Sequence, residues 1–261
     1  MDLELTGLHV LVTGGSKGIG LACAQGFLRE GARVSLVSRN ADNLQHAETA
    51  LAVGDERVRS HTADLTDSTS AIAALKAAEQ AFGPVDILVN SAGAARRTPP
   101  ADLVAATWHE AMDAKYFSYI HMIDPVVRHM GERGRGAIVN VIGAGGKVAS
   151  PVHLPGGAAN AALMLVSAGL AAAYGPRGVR VNAVNPGPVL TERLKEGLAA
   201  DARLQGIDPE EALSRTTARL PLGRIARPEE IADAVLFLAS ARASYITGAI
   251  LAMDGAVTPM V

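Results

Sequence analysis

Apolar runs of strand length recur along the chain at wide spacing, with helix-like segments between most of them. The runs are nearly continuous in apolar residues, which is typical of strands that helices cover on both faces of a parallel sheet. They occupy residues 9–14, 33–38, 58–65, 85–90, 137–142, 179–184 and 249–255. This alternation predicts an α/β, doubly wound Rossmann-type fold with a seven-stranded parallel sheet.

Helix signals fill the spaces between these strands. The predicted helices cover residues 18–30, 42–52, 68–82, 101–132, 156–175 and 228–239. Gly31 ends the first helix and Pro228 opens the last. No repeat or linker interrupts the 261 residues, so one domain over 1–261 is expected. Residues 190–222 are charged and lack strand patterning, and they predict a flexible helical flap over one end of the sheet.

Charge and cysteine content exclude several classes of protein. The net charge of −2 gives no reason to expect nucleic acid or an anionic membrane as partner. Cys23 is the single cysteine, which rules out an intrachain disulfide and a cysteine-based metal site and fits a reducing cytoplasm. The histidines show no ligand spacing, so no metal is predicted. The N-terminal residues lack the basic region of a signal peptide.

One stretch, residues 156–174, carries no charge and approaches membrane-spanning length. Alanine and glycine dominate it, and they add little transfer free energy. A helix buried between the sheet and a partner subunit is therefore expected, rather than a membrane span.

The sequence TGGSKGIG, residues 13–20, follows the first strand and opens the first helix. A tight glycine turn at a helix N-terminus lets a phosphate approach free N–H groups and the positive end of the helix dipole. The second strand ends at Arg39, where an enzyme that prefers NAD usually has an acidic residue. Arg39 and Lys17 together favour a 2′-phosphate, so NADP(H) is the predicted cofactor.

Three motifs, TGGSKGIG, NSAG (90–93) and NPGPVLTERL (185–194), resemble the signatures of the short-chain dehydrogenase/reductase family. The C-terminal segment is similar to members that resemble 3-oxoacyl carrier-protein reductases. The resemblance covers essentially the whole chain. It implies a cofactor site formed by Gly14, Ser16, Lys17, Gly18, Ile19, Gly20, Arg39, Asp64, Leu65, Asn90, Ala92, Gly93, Pro186, Gly187, Val189 and Thr191.

The family's chemistry is hydride transfer between a nicotinamide and a carbonyl or alcohol carbon. Its usual catalytic residues are Asn, Ser, Tyr and Lys, the lysine lowering the pKa of a tyrosine that is otherwise a poor base at neutral pH. In register, these four positions fall on Lys115, Gly143, Gly156 and Asn160, so all four differ.

Three functions remain open at this point. The first is an oxidoreductase with a rebuilt site of Lys115, His153 and Asn160, in which His153 supplies the proton. The second is an NADP(H)-binding sensor or scaffold without chemistry. The third is a lyase or isomerase that uses the basic Lys115. The retained NPGPVLT segment, which in the family holds the reactive end of the cofactor, favours the oxidoreductase and a small carbonyl or alcohol substrate.

The resemblance also implies a homotetramer or homodimer. The helices 156–175 and 101–132 are the expected subunit contacts. Tyr119, on the same helix face as Lys115, is assigned to subunit packing rather than to the site. Two interpretations are open for three basic residues of the flap: contact with an anionic group such as a thioester carrier, or solvated surface charge, which is favoured. These residues are Arg193, Lys195 and Arg203.

Overall fold

The structure, a computed structural model, describes residues 2–51, 56–93 and 97–258. Parallel strands form one sheet in the order β3-β2-β1-β4-β5-β6-β7, with seven strands within the described residues. They are β1 (His9–Thr13), β2 (Arg33–Ser38), β3 (Val58–Thr62), β4 (Ile87–Asn90), β5 (Gly136–Val141), β6 (Val179–Pro186) and β7 (Ile250–Met253). The predicted doubly wound α/β fold is confirmed.

Helices cover both faces of the sheet. They are α1 (Gly18–Arg29), α2 (Ala41–Leu51), α3 (Ser68–Phe82), α4 (Ala105–Ala111), α5 (Ser118–Arg133), α6 (Leu154–Tyr174), α7 (Glu192–Gln205), α8 (Pro209–Ala218) and α9 (Pro228–Ala239). One buried cluster joins α1, α2 and α9 to the sheet, and a second joins α3, α5 and α6 to its opposite face. Successive strand residues supply the two cores in turn, because side chains alternate across a strand.

The predicted helix 101–132 is present as a continuous helical stretch over residues 105–133, but it is not α-helical throughout. Pro100 starts a short 3₁₀ turn, α4 follows, and residues Met112–Phe117 form a π-helical segment before α5 begins. A π turn inserts extra residues into the helix and rotates the face that follows it. Lys115 lies in this segment, so its direction differs from that of an uninterrupted α-helix.

The helix α6 contains the charge-free stretch. Its buried positions, from Pro155 through Asn160 and Leu163 to Ala171, recur every three or four residues and pack on the sheet. The segment Pro151–Arg177 is long and apolar enough to cross a membrane, with a mean hydropathy of 1.5, but buried core helices meet the same criterion. Its outward face carries Leu165, which is 77 % exposed in the single chain.

The flap, residues 190–222, contains α7 and α8, which pack on each other through a small apolar cluster of their own. Its helical content is as predicted. The flap begins where β6 ends, beside the carboxyl ends of the strands. Because β1 pairs with β2 on one side and β4 on the other, the chain reverses its winding there and leaves a crevice outside the strand ends.

Candidate active site

The glycine loop between β1 and α1 has the geometry that a phosphate site requires. Gly14 adopts a positive φ of 65°, and a Cβ there would lie 2.8 Å from the main chain of Ala92. Lys17 precedes α1 without a side-chain cap, so the first N–H groups of the helix stay open to an anion. Ser16 ties the loop to the end of β2 through a 3.0 Å hydrogen bond to Ser38. The remaining loop residues that the motif predicts are Gly18, Ile19 and Gly20.

The second strand places its basic residue as predicted. Arg39 and Lys17 are both exposed at the same end of the sheet. The pKa of the Asp64 carboxyl lies below its usual value. Hydrogen bonds from the N–H and the hydroxyl of Thr66 lower this pKa, and so does the positive charge of Arg39. Leu65 beside it is buried. Arg39 follows the end of β2 and Asp64 follows the end of β3, so both lie at the same edge of the sheet.

The NSAG segment plays two parts. Asn90 is fully buried, and its amide bonds Thr13 at 3.2 Å and Asn140 at 3.0 Å, so its side chain holds three strands together rather than facing the crevice. Ala92 packs on the glycine loop. Gly93 has a φ of 146°, and a Cβ there would lie 2.7 Å from Cδ of Lys115, so only glycine leaves room for this lysine.

The NPGPVLT segment forms the opposite wall of the crevice. Gly187 bonds Met253 through its N–H at 3.1 Å, and Val189 is buried. The hydroxyl of Thr191 caps α7, and its methyl group lies 3.2 Å from the position of a Cβ on Gly18. The segment therefore touches the phosphate loop, as a cofactor wall would. Pro186 ends β6 at the same place.

Lys115 is half-buried between the ends of β4 and β5. Its Nζ donates to the Tyr119 hydroxyl at 2.7 Å and to the Val141 carbonyl at 3.0 Å. Desolvation of the ammonium, and then the charge of Arg193, lower the pKa of Lys115 to about 7. A lysine in this state changes its charge near neutrality, whereas an ordinary lysine does so near pH 10.

Tyr119 was expected to pack against a partner subunit, and the structure corrects this expectation. It is fully buried within this one chain, and its hydroxyl donates to the Val141 carbonyl at 2.6 Å. Burial raises the pKa of Tyr119 well above its ordinary value, so the hydroxyl stays protonated. The phenol therefore positions Lys115 instead of serving as an acid or base.

His153 lies against Gly156, the position that the sequence predicts for the family's tyrosine. A Cβ on Gly156 would lie 2.6 Å from Nε2 of His153 and 2.9 Å from its Nδ1, so the imidazole fills the space that a side chain at 156 would need. Its Nδ1 is buried and makes no hydrogen bond to any described residue. Burial, followed by the charges of Arg193, Arg97 and Lys115, lowers the pKa of His153 below its usual value, so the ring is neutral at pH 7.

Asn160 lies one helical turn beyond Gly156 on α6. It is only 5 % exposed, and no residue in the described ranges hydrogen-bonds its amide. Its Nδ2 is 3.4 Å from a Cβ position on Gly143 and 3.7 Å from one on Gly145. The three predicted catalytic residues thus line the same end of the sheet, with glycines between them.

Sequence reasoning missed one member of this group. Arg193 is the second residue of α7, and its guanidinium donates a hydrogen bond to the Gly93 carbonyl. It was expected to be a solvated surface charge, as were Lys195 and Arg203. Lys195, which pairs with Glu192 at 2.7 Å, and Arg203 are both exposed, as expected. Within the described residues, no cluster of groups suited to a metal ion occurs.

Known proteins resemble this chain over nearly its whole length. A family model described as enoyl-(acyl carrier protein) reductase matches residues 14–258. Gluconate 5-dehydrogenase of Gluconobacter oxydans is 35 % identical over 255 residues, which are 98 % of this chain and 96 % of that protein.

Solved structures show the same likeness. An actinorhodin polyketide ketoreductase with NADPH superposes with a TM-score of 0.93 at 29 % identity, over 97 % of this chain and 98 % of the other. An NADPH-bound short-chain oxidoreductase of Pseudomonas aeruginosa PAO1, described as containing an atypical catalytic center, superposes with a TM-score of 0.87 at 32 % identity, over 97 % and 98 % of the two chains.

Proposed function

Because the chain belongs to the short-chain dehydrogenase/reductase family, we propose that it is an NADP(H)-dependent oxidoreductase with an atypical active site. The four positions of the usual catalytic residues hold Lys115, Gly143, Gly156 and Asn160. The observation that carries the proposal is the imidazole of His153, which fills the space above Gly156 with an unpartnered, buried Nδ1. This titratable group would take the place of the family's tyrosine as acid and base.

The crevice residues fit a dinucleotide phosphate. The glycine loop and the uncapped start of α1 would hold the diphosphate, and Lys17 and Arg39 would hold the 2′-phosphate. The NPGPVLT segment would support the nicotinamide. When bound, the cofactor supplies or accepts the hydride. The solved ketoreductase and the oxidoreductase with the atypical center both contain NADPH, which supports this choice of cofactor.

The proton is handled by the chain's own residues. In alcohol oxidation, the neutral imidazole of His153 takes the proton of the substrate hydroxyl, and in reduction it returns that proton to the carbonyl oxygen. Asn160 donates an amide N–H to the same oxygen. Lys115 contributes a positive charge near His153, and Tyr119 and Val141 keep that charge in place.

A protein that binds NADP(H) without turnover remains the second candidate. Gly143, Gly156 and Asn160 favour it, because they stand at the positions predicted for the family's Ser, Tyr and Lys. Loss of a general acid typically lowers the rate by about 10²- to 10⁴-fold. Cofactor-binding residues can persist in a protein that has lost its catalytic activity.

The assembly belongs to the proposal as well. The exposed apolar face of α6, with Leu165, and the exposed Trp108 of α4 would meet a second subunit in a homodimer or homotetramer. We place the protein in the cytoplasm, and the flap orders over the crevice when ligands bind.

The test is a fluorescence titration with NADPH and NADH, followed by a panel of ketones and quinones monitored at the nicotinamide absorbance. We expect NADPH to bind more tightly than NADH, and Arg39→Ala to weaken NADPH about tenfold or more while changing NADH little. Arg29→Ala, on the last turn of α1, is the matched control.

The outcomes separate the two candidates. Oxidation of NADPH by a member of the panel establishes the oxidoreductase. Tight binding with no turnover across the panel transfers the assignment to the binding protein. An equal loss of NADPH and NADH affinity in Arg39→Ala would show that Arg39 does not recognise the 2′-phosphate.

A further inference from the structure

Lys115 differs from the other lysines of the chain. The sequence has five, and four of them are exposed, namely Lys17, Lys76, Lys147 and Lys195. The side chain of Lys115 is half-buried, and within the described residues its Nζ contacts a hydroxyl and a carbonyl instead of a carboxylate. A desolvated ammonium without a carboxylate is unfavourable, so a lysine in such a place releases its proton more readily.

The hydrogen bonds of Lys115 fit a neutral amine. Its Nζ has two acceptors in the described part of the chain, the Tyr119 hydroxyl at 2.7 Å and the Val141 carbonyl at 3.0 Å. An ammonium has three N–H donors, whereas a neutral amine has two N–H donors and a lone pair. Two acceptors therefore satisfy the neutral form. The hydroxyl proton of Tyr119 is donated to Val141, so it does not cover the lone pair.

The surroundings of Lys115 leave this amine accessible and uncharged in part of the molecules. A Cβ on Gly93 would lie 2.7 Å from Cδ and 3.4 Å from Nζ of Lys115, so a larger residue there would cover the amine. The titratable and charged groups near it are Tyr119 on α5, His153 before α6 and Arg193 on α7. None of the three is an anion at pH 7, so none favours the ammonium.

The charge of Lys115 therefore divides between two forms near neutrality. Desolvation, followed by the charge of Arg193, lowers its pKa to about 7. At pH 7 about half of the molecules carry the ammonium, which supplies the positive charge near His153. The other half carry a free amine in the same crevice, and a free amine is a nucleophile.

We propose that Lys115 is a nucleophile that forms an imine with aldehydes and ketones that enter the crevice. The Nζ lone pair attacks the carbonyl carbon, a carbinolamine forms, and water leaves as the C=N bond is made. The amine gives up its two protons and the carbonyl its oxygen, so the step needs neither oxidant nor reductant. Lysines that burial makes neutral are those that proteins use for this chemistry. The activity is separate from hydride transfer, because it uses no cofactor.

Reductive trapping without added cofactor measures this reaction. Propanal and cyclohexanone are the probes, and each is incubated with the purified wild-type protein and sodium cyanoborohydride, which reduces the imine to a stable secondary amine. Peptide mass spectrometry quantifies the adduct at every lysine, and modification of Lys115 also removes the tryptic cleavage between residues 115 and 116. Peptide mapping separates Lys115 from the α-amino group of the chain, whose ordinary pKa is about 8. Lys115→Arg is the test variant, and Lys195→Arg is the matched control.

We expect Lys115 to be labelled at pH 7 at least about tenfold more than any exposed lysine, because an ordinary lysine is almost entirely protonated there. Labelling of Lys115 should level off above about pH 7, whereas labelling of the exposed lysines should rise toward about pH 10. Lys115→Arg should lose the adduct, and Lys195→Arg should retain it. Guanidinium chloride should abolish the preference, since the unfolded chain no longer desolvates this amine.

The comparison is made within the wild-type chain, so it does not depend on a variant that folds. Equal labelling of Lys115 and the exposed lysines at pH 7 overturns the proposal, as does a preference that persists in guanidinium chloride. The absence of an adduct at Lys115 with both probes overturns it too. An adduct at Lys115 in a protein that does not oxidise NADPH supports the imine and refutes the oxidoreductase alone. Oxidation of NADPH by a protein that forms no adduct does the reverse.

Discussion

Two groups of buried and half-buried polar side chains differ in how completely they are hydrogen-bonded. The bonded cluster, which contains Thr13, Asn90, Asn140 and Ser167, sits within the sheet and against α6. Thr13 donates to Asn90, Asn90 to Asn140, Asn140 to Ser167, and Ser167 to the Leu163 carbonyl, at 2.7 to 3.2 Å. Each side chain has a protein partner, so this cluster needs nothing from outside.

The open cluster, which contains Lys115, His153 and Asn160, lies just beyond the carboxyl ends of the same strands. Nδ1 of its imidazole is buried without a hydrogen-bond partner among the described residues, its amide is 5 % exposed, and its ammonium has a pKa lowered to about 7. A fold tolerates unpaired buried groups where a ligand will pair with them, and such groups cost stability in its absence. The contrast predicts that substitutions affect stability in the bonded cluster and function in the open one.

The largest expected effect is on catalysis by the open cluster. His153→Ala should lower turnover of any substrate that the protein reduces or oxidises by about 10²- to 10⁴-fold, because a general acid and base is lost. The midpoint of thermal unfolding should change little, since the imidazole Nδ1 makes no protein hydrogen bond to lose. Steady-state kinetics and thermal unfolding measure the two quantities.

The pH profile provides a second readout for this variant. The wild type should lose its rate of alcohol oxidation as the pH falls through the lowered pKa of His153, since protonation removes the base. His153→Ala should lack that acidic limb, and His46→Ala, on the exposed surface of α2, should retain it. A His153→Ala protein with undiminished turnover would return this histidine to a structural role.

The next effect is a stability difference that depends on pH. The pKa of Lys115 is about 7 in the folded protein, below its ordinary value of 10.5. Between these values the unfolded chain holds a proton that the folded chain has released, so folding stability should rise with pH above about 7. Lys115→Met should flatten this rise, by up to about 1.4 kcal/mol per pH unit.

Urea unfolding at pH 7, 8 and 9 measures this slope. Lys195→Met is the matched control, because Lys195 is an exposed lysine and should leave the slope as it is in the wild type. If the free energy of unfolding rises equally with pH in the wild type and in Lys115→Met, the pKa of Lys115 is not lowered in the folded protein and the prediction is wrong.

The bonded and open clusters also differ in how far the sequence predicts them. The order of strands and helices and the glycine loop follow from periodicity and motif spacing, because these signals are local, whereas the choice of Lys115, His153 and Asn160 comes from the family resemblance. The local backbone geometry that positions Lys115 does not follow from these signals. The π-helical segment Met112–Phe117 depends on one extra residue in a turn, and its composition does not distinguish it from an α-helix.

Long-range contacts explain the other misses. The guanidinium of Arg193 meets a carbonyl 100 residues away, and Tyr119 bonds the Val141 carbonyl across 22 residues. Sequence spacing within one element carries no information about such pairs. The motif predicted that Asn90 binds the cofactor. Only the structure shows that its side-chain amide is hydrogen-bonded to Thr13 and Asn140 on the neighbouring strands.

The smallest effects come from a matched pair of buried asparagines, one in each cluster. Asn140 is fully buried and hydrogen-bonded to Asn90 and Ser167, whereas Asn160 is 5 % exposed with no bond to a described residue. Asn140→Ala should lower the free energy of unfolding by about 1–3 kcal/mol, because it leaves buried partners unpaired. Asn160→Ala should change it by less than about 0.5 kcal/mol, or raise it, because no protein hydrogen bond is lost. Urea unfolding of the two variants gives both values under identical conditions. An equal cost at both positions would mean that Asn160 has partners in solution, and the division between a structural and a functional cluster would fail at that residue.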